Sequence, residues 1–173
     1  MYEIYVTLKN IICRKDSELY MKTMRRIERQ MNEMEVLDLL KKGEYGILST
    51  CDEDNQPYGI PLSYVLIDKN IYIHCAGVGT KIDNISVNDK VSFTVVGKTK
   101  VLKEQFSVEY ESVVAFGRAI RLAEEEKYEP LMEFIRKYSP EFIEEGQLYI
   151  DKAKKITTLI KIEIYSFSGK HRI

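Results

Sequence analysis

The run G-I-P-L-S-Y-V-L-I-D-K-N-I-Y-I-H-C-A-G-V-G-T-K, residues 59–81, decides how the rest of the chain is read. It opens as a strand, turns at Asp68-Lys69-Asn70, returns as a second strand, and enters a glycine loop that starts a helix. In the second strand, alternation puts Ile71, Ile73 and Cys75 on one face and Tyr72, His74 and Ala76 on the other. Gly77 and Gly79 supply backbone angles that a Cβ atom resists. Thr80 is expected as the helix N-cap, with Asp83 three residues on completing a capping box. A glycine loop at a helix N-terminus leaves amides facing outward, and Lys81 stands beside them. That combination reads either as a phosphate seat or as an ordinary solvated helix start.

Outward from this run, hairpins dominate. Residues 30–42 are expected as a helix stopped by Gly43, with Met31, Met34, Leu37 and Leu40 as its buried stripe. Tyr45 to Cys51 and Tyr58 to Ile67 read as strands joined by the polar turn at 52–57. Pro61 cannot donate to a ladder, so it marks an edge, a bulge or a strand start. The helix from Thr80 is expected to reach about Val87. Val91 to Val96 follows as a strand, Lys98 to Ser107 as an irregular polar connection, and Tyr110 to Leu122 as a long strand interrupted at Gly117. A helix over 124–138, a short helical piece over 148–154 and a last strand over 156–167 complete the chain.

Short strands joined mainly by turns predict a mainly β fold with flanking helices, its antiparallel sheet closed or nearly closed as a barrel. A Rossmann arrangement is disfavoured: G-V-G-T at 77–80 lacks the rest of the dinucleotide fingerprint, and helices do not alternate with strands.

Composition sets outer bounds. With 45% apolar and 31% charged residues and a net charge of -1, the chain has no electrostatic signature of a nucleic-acid binder or a membrane-surface protein. No apolar run approaches the roughly 20 residues that cross a bilayer. The N-terminus has no secretory pattern, and Cys13, Cys51 and Cys75 form no evident disulfide framework, so a reducing cytoplasm is expected. Cys51 and Cys75 read as inert core thiols. With His74 and His171 the only histidines, no metal site is indicated. One domain over residues 21–173 is expected, because Met21 opens a natural start; residues 1–20 read as an N-terminal extension.

Several stretches together resemble the pyridoxamine 5′-phosphate oxidase-like superfamily, and within it the nitroimidazole-resistance-type proteins. They are M-R-R-I-E-R at 24–29, Y-G-I-L-S-T at 45–50, Q-P-Y-G-I-P-L-S-Y at 56–64, I-Y-I-H-C-A-G-V-G-T-K at 71–81, Y-E-S-V-V-A-F-G-R-A at 110–119 and S-G-K at 168–170. The resemblance implies a split β-barrel that binds FMN in a homodimer, with each flavin at the subunit interface. By position it implies that Pro61, Leu62, Ser63 and Tyr64 lie along the isoalloxazine and ribityl chain. His74, Cys75 and Ala76 then lie on the adjacent strand, and Thr80 and Lys81 at the phosphate. Ser112 and Phe116 are carried over as contributors to the dimer and the neighbouring flavin pocket.

The activity this implies is FMN-dependent reduction of small aromatic or nitro compounds, with His74 as a substrate-side contact. From the residues alone, His74 reads rather as a buried histidine hydrogen-bonded to a neighbour. True pyridoxamine-phosphate oxidases hold their substrate with basic and aromatic C-terminal elements. This chain has no tryptophan and ends G-K-H-R-I, which points away from that substrate. Alternatives are a flavin- or haem-binding protein without catalysis, and a dimerisation module with a vestigial pocket.

Overall fold

The computed structural model describes residues 24–172; the expected extension over residues 1–20 lies outside them. Seven strands form one antiparallel sheet: β1 (Tyr45–Cys51), β2 (Pro57–Ser63), β3 (Val65–Ile67), β4 (Asn70–Cys75), β5 (Lys90–Leu102), β6 (Ser107–Arg121) and β7 (Thr158–Arg172). Among the described residues, four α-helices accompany it: α1 (Glu33–Lys42), α2 (Thr80–Val87), α3 (Tyr128–Tyr138) and α4 (Ile143–Ala153). Among the described residues, no helix is long and apolar enough to cross a membrane.

The strand order is β2-β1-β5-β6-β7-β4-β3. β2 and β3 stand at opposite edges of this order, yet Tyr64 alone separates them in sequence. The sheet therefore curls until its edges meet, and the run 58–67, expected as one strand, is two strands joined at a corner. This is the predicted barrel, closed by a single bent segment.

Tyr64 is fully buried, and its hydroxyl donates to the Leu40 carbonyl at 2.6 Å. Leaving both ladders orphans the Tyr64 backbone groups, and α3 supplies their partners. The Tyr64 amide donates to the Tyr138 hydroxyl at 3.0 Å. The Tyr64 carbonyl accepts from Lys137 Nζ at 2.9 Å and from the Tyr138 hydroxyl at 2.8 Å. Lys137 Nζ also donates to the Gly43 carbonyl at 2.6 Å and lies 4.1 Å from the Tyr64 ring centroid. Desolvation lowers the Lys137 pKa from 10.5 to about 8. Gly43 ends α1 as expected, but for a packing reason: a Cβ there would sit 2.6 Å from the Tyr64 hydroxyl oxygen.

Inside the barrel, Leu48, Phe93, Val95, Val113, Ile71, Ile73 and Ile162 are buried with Val36, Leu39 and Leu40 of α1. The α1 stripe differs from the expected one. Met31 and Leu40 are buried as expected, but Met34 is 80% exposed and Leu37 half-buried, and Val36 and Leu39 take their places. A reciprocal Asn32–Glu35 capping box fixes where α1 begins, and this sets its phase. On the outside of β3, β4 and β7, Leu131, Met132 and Phe134 of α3 and Ile150 of α4 bury Val65 and Leu159.

Several boundaries move. β5 continues to Leu102 across a register shift between Val96 and Thr99, because β6 offers pairing partners as far as Ser107. Only Lys103–Gln105, a single 3-10 turn, remains of the expected irregular connection. β7 begins at Thr158 and extends to Arg172, paired with β6 from Ile160 onward across a register shift at Phe116/Gly117. The expected 124–138 helix divides into a 3-10 turn at Glu124–Glu126 and α3, and the short late helix is the longer α4. The Asp68–Lys69 turn is present, both residues taking positive φ as a two-residue hairpin requires. Pro61 lies on β2, an edge strand, where its missing N–H costs no ladder bond.

Candidate functional site

The glycine loop meets α2 where β4 and β6 end and β7 begins. Gly79 is the residue that caps α2, with φ 116° and ψ 167°, a conformation essentially confined to glycine. Thr80 is therefore the first helical residue rather than the cap, and no side chain caps this terminus. The physical reason is that the Gly79 carbonyl accepts the Ile82 amide at 2.8 Å and the Asp83 amide at 3.2 Å, closing the turn one residue earlier than expected. The Thr80 and Lys81 amides then have no acceptor among the described residues. A Cβ on Gly79 would meet nothing within 4 Å, and Gly79 and Thr80 are both exposed. The helix is pinned from behind: buried Asn84 donates to Thr50 Oγ1 on β1 at 3.0 Å, and Ile82 and Ile85 pack on the barrel core.

Charge gathers around this opening. Lys81 is half-buried and lies close enough to Cys75 for its ammonium to oppose the upward shift that burial imposes on the thiol. Arg121, at the end of β6, does the same. Its Nη2 donates to Thr158 Oγ1 at 3.2 Å and would lie 3.7 Å from a Cβ on Gly77. Antiparallel pairing of Cys75 with Thr158 and of Arg121 with Ile160 brings these strand ends together. The sequence reading left Arg121 inside a strand. No local signal marks it, because the β4-β7-β6 order alone sets it beside the loop.

The remaining expected site residues divide. Pro61 and Ser63 are exposed on the edge strand β2, Leu62 faces inward onto the core, and Ala76 is exposed beside the loop. The Tyr64 side chain is enclosed in the core, and its backbone groups are all bonded within the chain. Cys75 packs against the barrel interior, whereas His74 points to the opposite face of β4. There its ring meets Phe134 edge-on at 4.6 Å, and burial lowers its pKa. His74 is thus not brought together with Thr80 and Lys81. Ser112 and Phe116 alternate with the buried Val113, Ala115 and Gly117, which places them on the outer face of β6, away from the core. A cavity of about 640 Å³ lies elsewhere, between α1 and the β5–β6 strands, lined by Glu35, Asp38, Tyr45, Gly97, Glu111 and His171 among others.

Against this geometry, the family model for pyridoxamine 5′-phosphate oxidase matches residues 32–171. This chain belongs to the pyridoxamine 5′-phosphate oxidase family. No curated protein sequence matches it. Its split-barrel fold recurs in solved structures at low identity. A conserved hypothetical protein of Mycobacterium tuberculosis aligns with a TM-score of 0.74 and 21% identity, covering 87% of this chain and 91% of that one. A candidate 5-nitroimidazole antibiotic resistance protein from Bacteroides thetaiotaomicron gives 0.71 and 20%, covering 82% and 86%. An FAD- and haem-binding protein from Mycobacterium smegmatis gives 0.73 and 17%, covering 83% and 73%. The family binds flavin, and the residues at the α2 corner fit its anionic end. Free amides at a helix N-terminus, an adjacent ammonium group and open space above Gly79 are what a phosphate requires.

Proposed function

We propose that this family member binds flavin mononucleotide at the α2 corner, as a homodimer, and reduces small aromatic or nitro compounds. One observation carries the reading: the Thr80 and Lys81 amides have no acceptor among the described residues and stand beside the Lys81 side chain, at the end of a helix dipole. The bound flavin supplies the redox chemistry, moving a hydride to and from its ring. The chain's own residues hold and orient it. Thr80 and Lys81 take the phosphate, and the exposed edge of β2 from Pro61 to Ser63 offers backbone donors and acceptors to the ring system. Cys75 and Ala76 line the passage between these two regions. Ser112 and Phe116, facing outward from β6, serve the pocket of a second copy. His74, exposed and edge-on to Phe134, is the proposed substrate-side contact.

Pyridoxamine phosphate is not the proposed substrate. The C-terminal run 168–172 is bound into the sheet, Lys170 pairing with Ser112 and Arg172 with Tyr110. Similarity to an FAD- and haem-binding protein supports a second reading, in which the flavin is the dinucleotide or the protein is a carrier. The test is the absorbance spectrum of the purified protein after incubation with FMN, followed by the mass of whatever it releases on denaturation. The expected result is a flavin spectrum, FMN as the released compound, and bleaching with a reductant that a nitroaromatic compound reverses. A protein that stays colourless overturns the reading. A released FAD moves it to the second one.

A further inference from the structure

We propose that the hairpin of β5 and β6 is an arm for self-association: the arms of two copies lie antiparallel along their β5 edges, and Phe106 of each seats in the other's cavity between α1 and the base of the arm. This rests on the homodimer reading above and needs no flavin.

The arm reaches past the rest of the sheet. Among the described residues, β1 pairs with β5 only over Ser92–Thr94, and the pairing of β7 with β6 ends at Tyr110. Beyond those points β5 and β6 hold each other alone, from Thr99–Tyr110 to Leu102–Ser107. At about 3.3 Å per residue, that stretch carries the tip roughly 13 Å outward. Val101 and Val108 pair across the arm and are exposed, and Phe106 at the tip is 98% exposed. Phe106 also takes left-handed backbone, φ 49° and ψ 45°, which a bulky side chain rarely adopts. An aromatic ring held out on a strained turn, beside a strand edge without a partner strand, is what an associating surface covers.

The partner that fits is a second copy of this chain. A two-fold axis lays identical edges antiparallel and sets each tip beside the other arm's base. That base holds a receptor. The 640 Å³ cavity is bounded by Gly97 and Lys98 of the arm, and Leu39, Tyr45 and Val96 give it apolar surface for a ring. Charge matches too. Lys98, Lys100 and Lys103 outnumber Glu104 and Glu109 along the arm, whereas Glu35, Asp38 and Glu44 are exposed around the cavity. The outward face of the arm is also continuous with Ser112, since Val108, Tyr110 and Ser112 alternate along one side of β6.

The chain has no tryptophan, so Phe106→Trp places a single indole at the tip. Sedimentation velocity and tryptophan emission of the full-length variant are followed across a dilution series. The expected result is a dimer whose emission is blue-shifted and shielded from acrylamide, becoming water-like as it dissociates. Adding Glu44→Arg, which crowds the cavity and repels Lys103, should weaken dimerisation about tenfold or more and return the emission to that of water, with the melting temperature of the monomer unchanged. A dimer with water-like emission associates through another face; it overturns the inference and leaves the homodimer reading standing. A buried indole that Glu44→Arg does not disturb overturns the cavity as its seat. A chain that is monomeric at every concentration removes the homodimer reading and this inference together.

Discussion

The chain leaves the sheet at two contrasting corners. At Tyr64 the barrel closes, and every backbone polar group is met by the protein: the amide by Tyr138, the carbonyl by Lys137 and Tyr138, the side-chain hydroxyl by Leu40. At residues 77–81 the chain also turns away from a strand end, but the Thr80 and Lys81 amides have no acceptor among the described residues. Both corners use a glycine and both hold positive charge. One is saturated from within and the other is not. A saturated corner is architecture. An unsaturated one, in a chain that otherwise pairs its buried polar atoms, is where a ligand supplies what is missing.

Substitutions at the closed corner should act on stability, and those at the open corner on binding. The largest effect is expected from Tyr64→Ala, which empties a fully buried site and removes the bond to Leu40. It should cost about 3–5 kcal/mol in urea unfolding, enough to unfold a marginal domain. Gly79→Ala comes next. Nothing clashes with the new methyl, so the cost is backbone strain alone, about 1–3 kcal/mol, and FMN affinity should fall with it. A Gly79→Ala variant of wild-type stability would show that the loop is free to relax and that the open corner is not held in place.

Lys137→Met strips donors from the Gly43 and Tyr64 carbonyls and should cost about 1–3 kcal/mol. The pH dependence of Lys137 sharpens the contrast further. Its pKa falls from 10.5 to about 8 on folding, so between those values the unfolded chain holds the proton and the folded chain does not. Stability should therefore contain a component that rises with pH across that window and is absent below it. Unfolding curves for wild type and Lys137→Met, taken across the window, should diverge in that direction; divergence of the opposite sign would mean that the lysine is not desolvated. The smallest effect on stability belongs to Lys81→Gln, within about 0.5 kcal/mol of wild type, alongside a loss of FMN affinity of about tenfold or more.

The closed corner was the less legible of the two in the sequence. Residues 58–67 read as one strand because Ser63-Tyr64 carries no glycine, proline or polar turn signal. The bend is stabilised by side chains 74 residues further along, and no local pattern reports a partner at that distance. The same kind of reason hid Arg121, and the length of β5 beyond Val96 depends on pairing with β6. The open corner was legible because its determinants are local: two glycines, a helix start and a lysine within five residues. Even there, the cap was misplaced by one residue. Thr80 has the side chain of a capping residue, but the Gly79 carbonyl closes the first turn.

The most direct test of the open corner is the amide NMR spectrum of the full chain titrated with FMN. The Thr80 and Lys81 resonances should move furthest as their N–H groups acquire a phosphate acceptor, while those of Tyr64 and Gly43 stay in place. If the Thr80 and Lys81 signals remain fixed while residues lining the groove at Glu111 and His171 shift, the anionic tail is held elsewhere and the account is wrong.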